Sequence, residues 1–423
     1  MRRSRILLPI AAGVLVLAAP AAAKHDDDHR SAAAAATPKV TVIADGLRNP
    51  RHLDFGSGDD LYVAEAGRGG GTASCFDSAE GAACVGATGA VTRIEDADDR
   101  KPGRVRRIAD GLASFAPADG NNAIGPHGID ASGRTVYLTN GGPTEPKRNG
   151  QTVLRDTLVT EDPVAEQLGR LLKIQRRGRT TSIADIWDFE RDNNPDAQAG
   201  NPTIDSNPVA VERRRGRFLV ADAGGNTVLQ ATGKGAVSVL HLFPNTTAPF
   251  QGNEIPMQTV PTGVAVGPDG NVYVSQLTGF PFPLGGAKVF VLDRRTGAVI
   301  REITGFTNAI DLAFGKDGAL YVLEMDSDSL LAPGTDGAIV KVARGALTGT
   351  RIALPAGTLT EPGGIAVEDG DLYVTNRARS GSAGQVLRIV LGRDKGKDDR
   401  SKKDRSKDDR RQDDSGKDDR RNS

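Results

Sequence analysis

The sequence predicts an all-β protein: a six-bladed β-propeller of four-stranded antiparallel blades. Three observations predict it. A unit of two apolar runs joined by a tight turn recurs six times along the chain. Glycine is abundant at 52 residues and aromatic residues are scarce at 4%, which suits many short strands and turns. The last unit lacks a fourth strand, while a spare strand precedes the first unit, so the N-terminal strand is expected to complete the last blade and close the ring.

The clearest copies are "PTGVAVGPDGNVYVSQ" (261–276), "PGGIAVEDGDLYVTN" (362–376) and "PHGIDASGRTVYLTN" (126–140). "PRHLDFGSGDDLYVAE" (50–65), "PVAVERRRGRFLVAD" (208–222) and "AIDLAFGKDGALYVLE" (309–324) complete the set. Asp-Gly or Gly-Asp pairs at 269–270, 317–318 and 370–371 supply the positive φ angles of tight hairpins. The two runs are strands A and B of each blade. Both read apolar on both faces, as strands held between neighbouring sheets do.

Strand C follows in each copy at 90–95, 170–175, 227–232, 288–293, 338–343 and 385–390. Strand D follows at 104–109, near 180–184, and at 236–243, 298–304 and 350–354. The spare strand is "KVTVIADGL" at 39–47. One helix is expected over 186–193, ended by Pro195.

Strand alternation places the starts of the A strands, the ends of the B strands and the long B–C loops on one face. Those loops are 66–89, 141–168, 277–287 and 325–337, and the D–A connection 185–207 joins them. Loops on a rigid scaffold commonly carry function. The last B-strand residues are Glu65, Asn140, Asp222, Gln276, Glu324 and Asn376, all carboxylates or amides. They are expected to ring a channel mouth. Glu65, Asn140, Asp222 and Glu324 are the candidate ligands for Ca²⁺ or another divalent cation. Such residues also commonly bond to turn backbone, so a wet pore lining is the competing reading. His52, His127 and Asp311 lie nearby on the A strands and are candidate ligand-binding residues. Phe280 and Phe282, set between prolines, are either a ligand-holding aromatic finger or a hydrophobic plug on the blade tops.

The ends bound the domain. Arg2, Arg3 and Arg5, an apolar run over 6–19 and the Ala21-Ala22-Ala23 pattern read as a secretory signal peptide, 1–23. Residues 24–37 read as a disordered linker, 38–392 as the propeller, and 393–423 as a disordered charged tail. No transmembrane span is expected after signal cleavage, and export would place the protein in the periplasm, envelope or medium. The only cysteines, Cys75 and Cys84, are then expected to form a disulfide. Balanced charge, 54 basic against 54 acidic residues, argues against a nucleic-acid partner.

From about residue 40 to 390 the chain resembles the ScyD/ScyE family of secreted bacterial proteins. The segments that carry the resemblance are "GGGTASCFDSAEGAACVGATGAVTRI", "SNPVAVERRRGRFLVADAGGNTVL", "VPTGVAVGPDGNVYVSQLTGFPFPLGG" and "DLAFGKDGALYVLE". The resemblance implies a six-bladed propeller with NHL- or gluconolactonase-like repeats. It implies no agreed activity and no catalytic residues.

Two functions follow as expectations. The first is a secreted, non-catalytic protein that binds a small molecule or an envelope or extracellular protein on its loop-rich face. The second is a metal-dependent hydrolase or lactonase. There a channel-mouth cation would activate water, with His52 or His127 moving the proton. No G-x-S-x-G elbow and no H-E-x-x-H pair is present in the sequence to support the second.

Overall fold

The structure is a computed structural model that describes residues 37–391, apart from 72–73, 79–80, 100–101, 144–145, 154 and 176–177. The expected signal peptide, nearly all of the linker and the charged tail lie outside the described residues.

The repeated hairpins form as the turn residues dictate. Pro261–Val266 pairs antiparallel with Val272–Gln276. Gly270 sits in their turn at φ 79°, where a side chain would be strained, and Asp269 Oδ1 accepts the Asn271 N–H at 3.1 Å. Every residue of Val272–Gln276 is buried.

The architecture is an all-β propeller with four-stranded antiparallel blades. Five sheets have four strands. One combines Pro126–Ser132, Thr135–Asn140, Arg170–Ile174 and Thr180–Asp185. The next combines Pro208–Arg214, Arg217–Asp222, Thr227–Thr232 and Val237–Leu242. Then come Pro261–Val266 through Val299–Phe306, and Ala309–Phe314 through Thr350–Arg351. In the fifth, the N-terminal strand Lys39–Leu47 pairs with Gly384–Val390 beside Asp371–Asn376 and Gly364–Glu368, as its sequence suggests.

Among the described residues five four-stranded blades are present where six were expected, because the first repeat departs from the plan. Its strands Pro50–Phe55, Leu61–Glu65, Gly81–Ile94 and Val105–Ala116 belong to a seven-stranded sheet with Cys75–Ser78, Lys147–Arg148 and Gln151–Thr152. The expected loop 66–89 is therefore partly strand. Gly81–Ile94 and Val105–Ala116 run past the other blades because they pair with each other along their length, from Ile94↔Val105 to Cys84↔Ala116. Backbone pairing supplies there what the small side chains of "GAACVGATG" do not signal.

Buried clusters join neighbouring sheets. Tyr273, Val289 and Ile303 pack on Leu312, Val322 and Val340. Leu53, Leu61 and Ile94 of the first repeat pack on Ala366, Tyr373 and Val386 of the last. The expected helix forms over Ile186–Asn193, with Asp185 accepting the Asp188 N–H at its N-cap and Asn194 left-handed at its C-cap. A second helix, Arg155–Glu161, and a hairpin, Thr246–Phe250 with Asn253–Met257, lie in connections that read as irregular. No helix among the described residues is long and apolar enough to cross a membrane.

Candidate functional site

Five of the six polar residues that end the B strands bind backbone, whereas Gln276 Oε1 has no partner among the described residues. Glu65 is fully buried, and its carboxylate accepts the Arg48 N–H at 2.8 Å, the Thr92 hydroxyl at 2.5 Å and two N–H groups of Arg107 at 2.9 and 3.0 Å. Asp222 accepts from Ser206 Oγ and from the N–H groups of Asn207, Gly224 and Gly225. Burial pushes its carboxyl up to about 6 against those stabilising bonds. Glu324 accepts the Thr307 N–H at 2.8 Å and Arg351 at 2.9 Å. Asn376 accepts the Thr360 N–H at 2.7 Å. Arg48, Asn207, Thr307 and Thr360 each lie just before the inner strand of the same repeat. One side-chain position thus pins the chain as it enters the blade. Asn140 Nδ2 donates to Ala113 O at 3.3 Å, and its Oδ1 has no partner among the described residues. Glu65, Asn140, Asp222 and Glu324 thus serve separate repeats. Among the described residues no group of three His, Cys, Asp or Glu is placed to hold a metal ion.

The inner A strands tell a different story. Their third residues are His52, Gly128, Ala210, Gly263, Asp311 and Gly364. Large and small residues face each other because adjacent inner strands approach closely. A Cβ at Gly364 would lie 2.7 Å from His52 Cα, and one at Gly263 would lie 3.0 Å from Asp311 Cα. His52 Nδ1 comes within 3.9 Å of Asp311 Oδ1, and the rings of His52 and His127 meet edge-on at 5.5 Å. Burial, and then the Arg51 charge, lower the affinity of His127 for a proton, so it is neutral; burial lowers that of His52 as well. His52, His127 and Asp311 are therefore brought together. Phe280 and Phe282 are not brought to them. Phe280 is 46% exposed and packs on Phe250 of the hairpin at 4.7 Å.

Two residues along each inner strand lies a set that the sequence reading passed over. Asp54, Asp130 and Glu212 occupy the fifth position in three successive repeats, where the other three carry Ala265, Ala313 and Ala366. Each reaches the backbone of the next inner strand: Asp54 Oδ2 accepts the Ala131 N–H at 2.7 Å and Asp130 Oδ2 the Arg213 N–H at 2.7 Å. Glu212 accepts from Val266 N–H in the same way. His52, Asp54, Glu212 and Asp311 line a cavity of about 320 Å³ bounded by the inner strands of the first repeat and of the five four-stranded sheets. Loss of hydration there raises Asp54 to about 7 and Glu212 to about 8, and Asp130 adds repulsion to both.

A larger cleft, about 690 Å³, opens on the loop-rich face. Phe76, Phe115, Ile124, Pro143 and Val260 give it apolar walls, and Asn122, Asn207 and Gln258 add polar groups. Phe76 and Phe115 stack edge-on at 5.1 Å. The Cys75–Cys84 disulfide ties the strand pair that carries Phe76, Asp77 and Ala83 into this wall. Behind the Gly224–Gly225 turn lies Glu190, 1% exposed, with neither carboxylate oxygen hydrogen-bonded among the described residues. Burial and then the charges of Asp222, Asp196 and Asp205 raise its carboxyl to about 8.

No family model matches the chain. No curated protein matches it either. Similar solved structures include the PQQ-bound aldose sugar dehydrogenase of Streptomyces coelicolor, at 11% identity, TM-score 0.43, covering 84% of this chain and 99% of that one. An auxiliary nutrient binding protein of Bacteroides thetaiotaomicron is similar at 9% identity, TM-score 0.47, covering 84% and 78%. The WD40 β-propeller domain of Doa1 is similar at 11% identity, TM-score 0.38, covering 84% and 98%. These neighbours are remote, and their activities stay with them.

Proposed function

We propose that the protein is a non-catalytic binding protein whose ligand occupies the loop-face cleft. The carrying observation is the cleft itself, 690 Å³ with aromatic walls and a few convergent polar groups, the form that small-molecule sites take. The ligand class it suits is planar and largely apolar, with hydrogen-bonding groups at its edge for Asn122, Asn207 and Gln258. The metal-dependent hydrolase is the weaker reading, because the oxygens of Glu65, Asp222 and Glu324 are engaged by backbone, hydroxyl and guanidinium donors.

In this reading the strands of the first repeat serve as a sixth blade, and the Lys39–Leu47 strand closes the ring. The pairing of that strand with Gly384–Val390 and the cluster joining the first and last repeats support it. Membership of the ScyD/ScyE family and action outside the cytoplasm belong to the same proposal. The disulfide fits an oxidising compartment.

The test is a fluorescence titration with 1-anilinonaphthalene-8-sulfonate, a planar aromatic probe. Saturable binding with one site per chain is expected. Ile124→Trp, which places a large ring in the cleft, is expected to weaken it at least about tenfold, or about 1.4 kcal/mol, while leaving the melting temperature in place. Binding that does not saturate, or that ignores the substitution, would overturn the proposal.

A further inference from the structure

We infer that the inner cavity is a second binding site, built for a small organic diamine whose two ammonium groups reach different carboxylates. This site is independent of the loop-face cleft. It lies toward the A–B turns, whereas the cleft lies at the opposite face, where A strands begin and B strands end.

Asp54, Glu212 and Asp311 line the cavity from three inner strands, and Asp130, on the strand between those of Asp54 and Glu212, adds its charge to both without lining it. Their backbone partners leave acceptor capacity unused, since an ionised carboxylate has about four acceptor sites. Asp54 takes N–H groups from Phe55 and Ala131, Asp130 from Arg213, Glu212 from Val266, and Asp311 from Leu312 and Ile365. His52 is 6% exposed, lines the same cavity, and its Nε2 has no partner among the described residues. Its Nδ1 lies 3.9 Å from Asp311 Oδ1, beyond hydrogen-bond distance. Once Asp54 and Glu212 give up their protons, the carboxylates of the site only accept. An ammonium group, with three donors and no acceptor, is its chemical complement.

The spread of these groups selects the shape of the cation. No three of them are placed to hold a metal ion. A point charge would meet only part of the set, whereas an elongated cation reaches several members at once. The nearby cations are committed elsewhere. Arg213 Nη1 donates to Ser132 Oγ at 2.8 Å, with its guanidinium over Tyr137. Lys316 holds Glu368, at the end of the last inner strand, and Asp369. Arg51 and Arg214 act on the site through their charge, Arg51 on His52 and Arg214 on Glu212.

Binding would draw Asp54 and Glu212 into their charged forms, since both hold protons near neutrality. The released protons go to buffer, and affinity rises with pH through the interval in which these groups titrate.

The experiment is calorimetric titration of the full chain with putrescine at pH 6 and pH 8.5, in two buffers of different ionisation enthalpy. One site is expected, with proton release at pH 6 and affinity at least about tenfold tighter at pH 8.5. Glu212→Gln keeps an acceptor for Val266 N–H and is expected to weaken binding at least about tenfold. Asp54→Asn is a second variant in case the first misfolds. No heat with putrescine, or equal binding by the variants, would overturn the inference. Saturable binding of Ca²⁺ alone, without putrescine binding, would overturn it in favour of a metal.

Discussion

Replacing Glu190 with glutamine should stabilise the protein, and should do so in a pH-dependent way. Glu190 is 1% exposed, lacks a hydrogen-bond partner among the described residues, and faces Asp222, Asp196 and Asp205. Its carboxyl is raised from 4.5 to about 8. The folded state therefore keeps a proton that the unfolded chain gives up above about pH 4.5. Stability from this group is greatest below that pH, falls as pH rises toward 8, and then levels off. At 1.36 kcal/mol per pKa unit, the interval from 4.5 to 8 sets a ceiling near ~5 kcal/mol. Relaxation and water entry at a buried charge reduce the expected gain for Glu190→Gln to about 2–3 kcal/mol at pH 8. At pH 4.5 both proteins carry a neutral side chain there, and the difference should fall below about 1 kcal/mol. The assay is urea unfolding followed by Trp187, the single tryptophan, which lies in the same helix and is 7% exposed. An unchanged slope with a shifted midpoint would assign the effect to stability. A Glu190→Gln protein that is no more stable at pH 8 than the parent would refute the reasoning.

Other outcomes follow from the same geometry. Glu65→Gln leaves Arg107 and the Arg48 N–H without their buried anion and should cost about 3 kcal/mol in urea unfolding. Reduction of Cys75–Cys84, separated by 9 residues, should cost about 2.5 kcal/mol on the loop-entropy relation, read as a lower melting temperature with reductant. Ca²⁺ and EDTA should each leave the melting temperature within about a degree, whereas a cation site filled at 100 times its Kd would add about 2.7 kcal/mol. A shift of several degrees that vanishes in a Glu65→Gln, Glu324→Gln double variant would restore the channel-mouth metal.

Much of the fold was legible in residue order. Asp269-Gly270 marks a hairpin because a tight turn needs positive φ there. The Lys39–Leu47 strand was legible because the last repeat lacked a partner for Gly384–Val390. The long strands Gly81–Ile94 and Val105–Ala116 were not, because their small residues pair through backbone and carry little alternation. For the same reason the cleft wall around Phe76 and Phe115 could not be read in advance. At the B-strand ends the polar series was visible, but not its partners, since a backbone N–H has no signature in sequence. Asp54, Asp130 and Glu212 did leave a signal: an acidic fifth position in three repeats and alanine in the other three.

The most direct test of the account is hydrogen–deuterium exchange of the full chain with and without saturating 1-anilinonaphthalene-8-sulfonate. Protection is expected in the strands around Phe76 and Phe115 and in the segment that carries Asn207, which together wall the cleft. Protection confined instead to the Phe250, Phe280 and Phe282 cluster, or absent throughout, would contradict the assignment of the ligand site to the loop-face cleft.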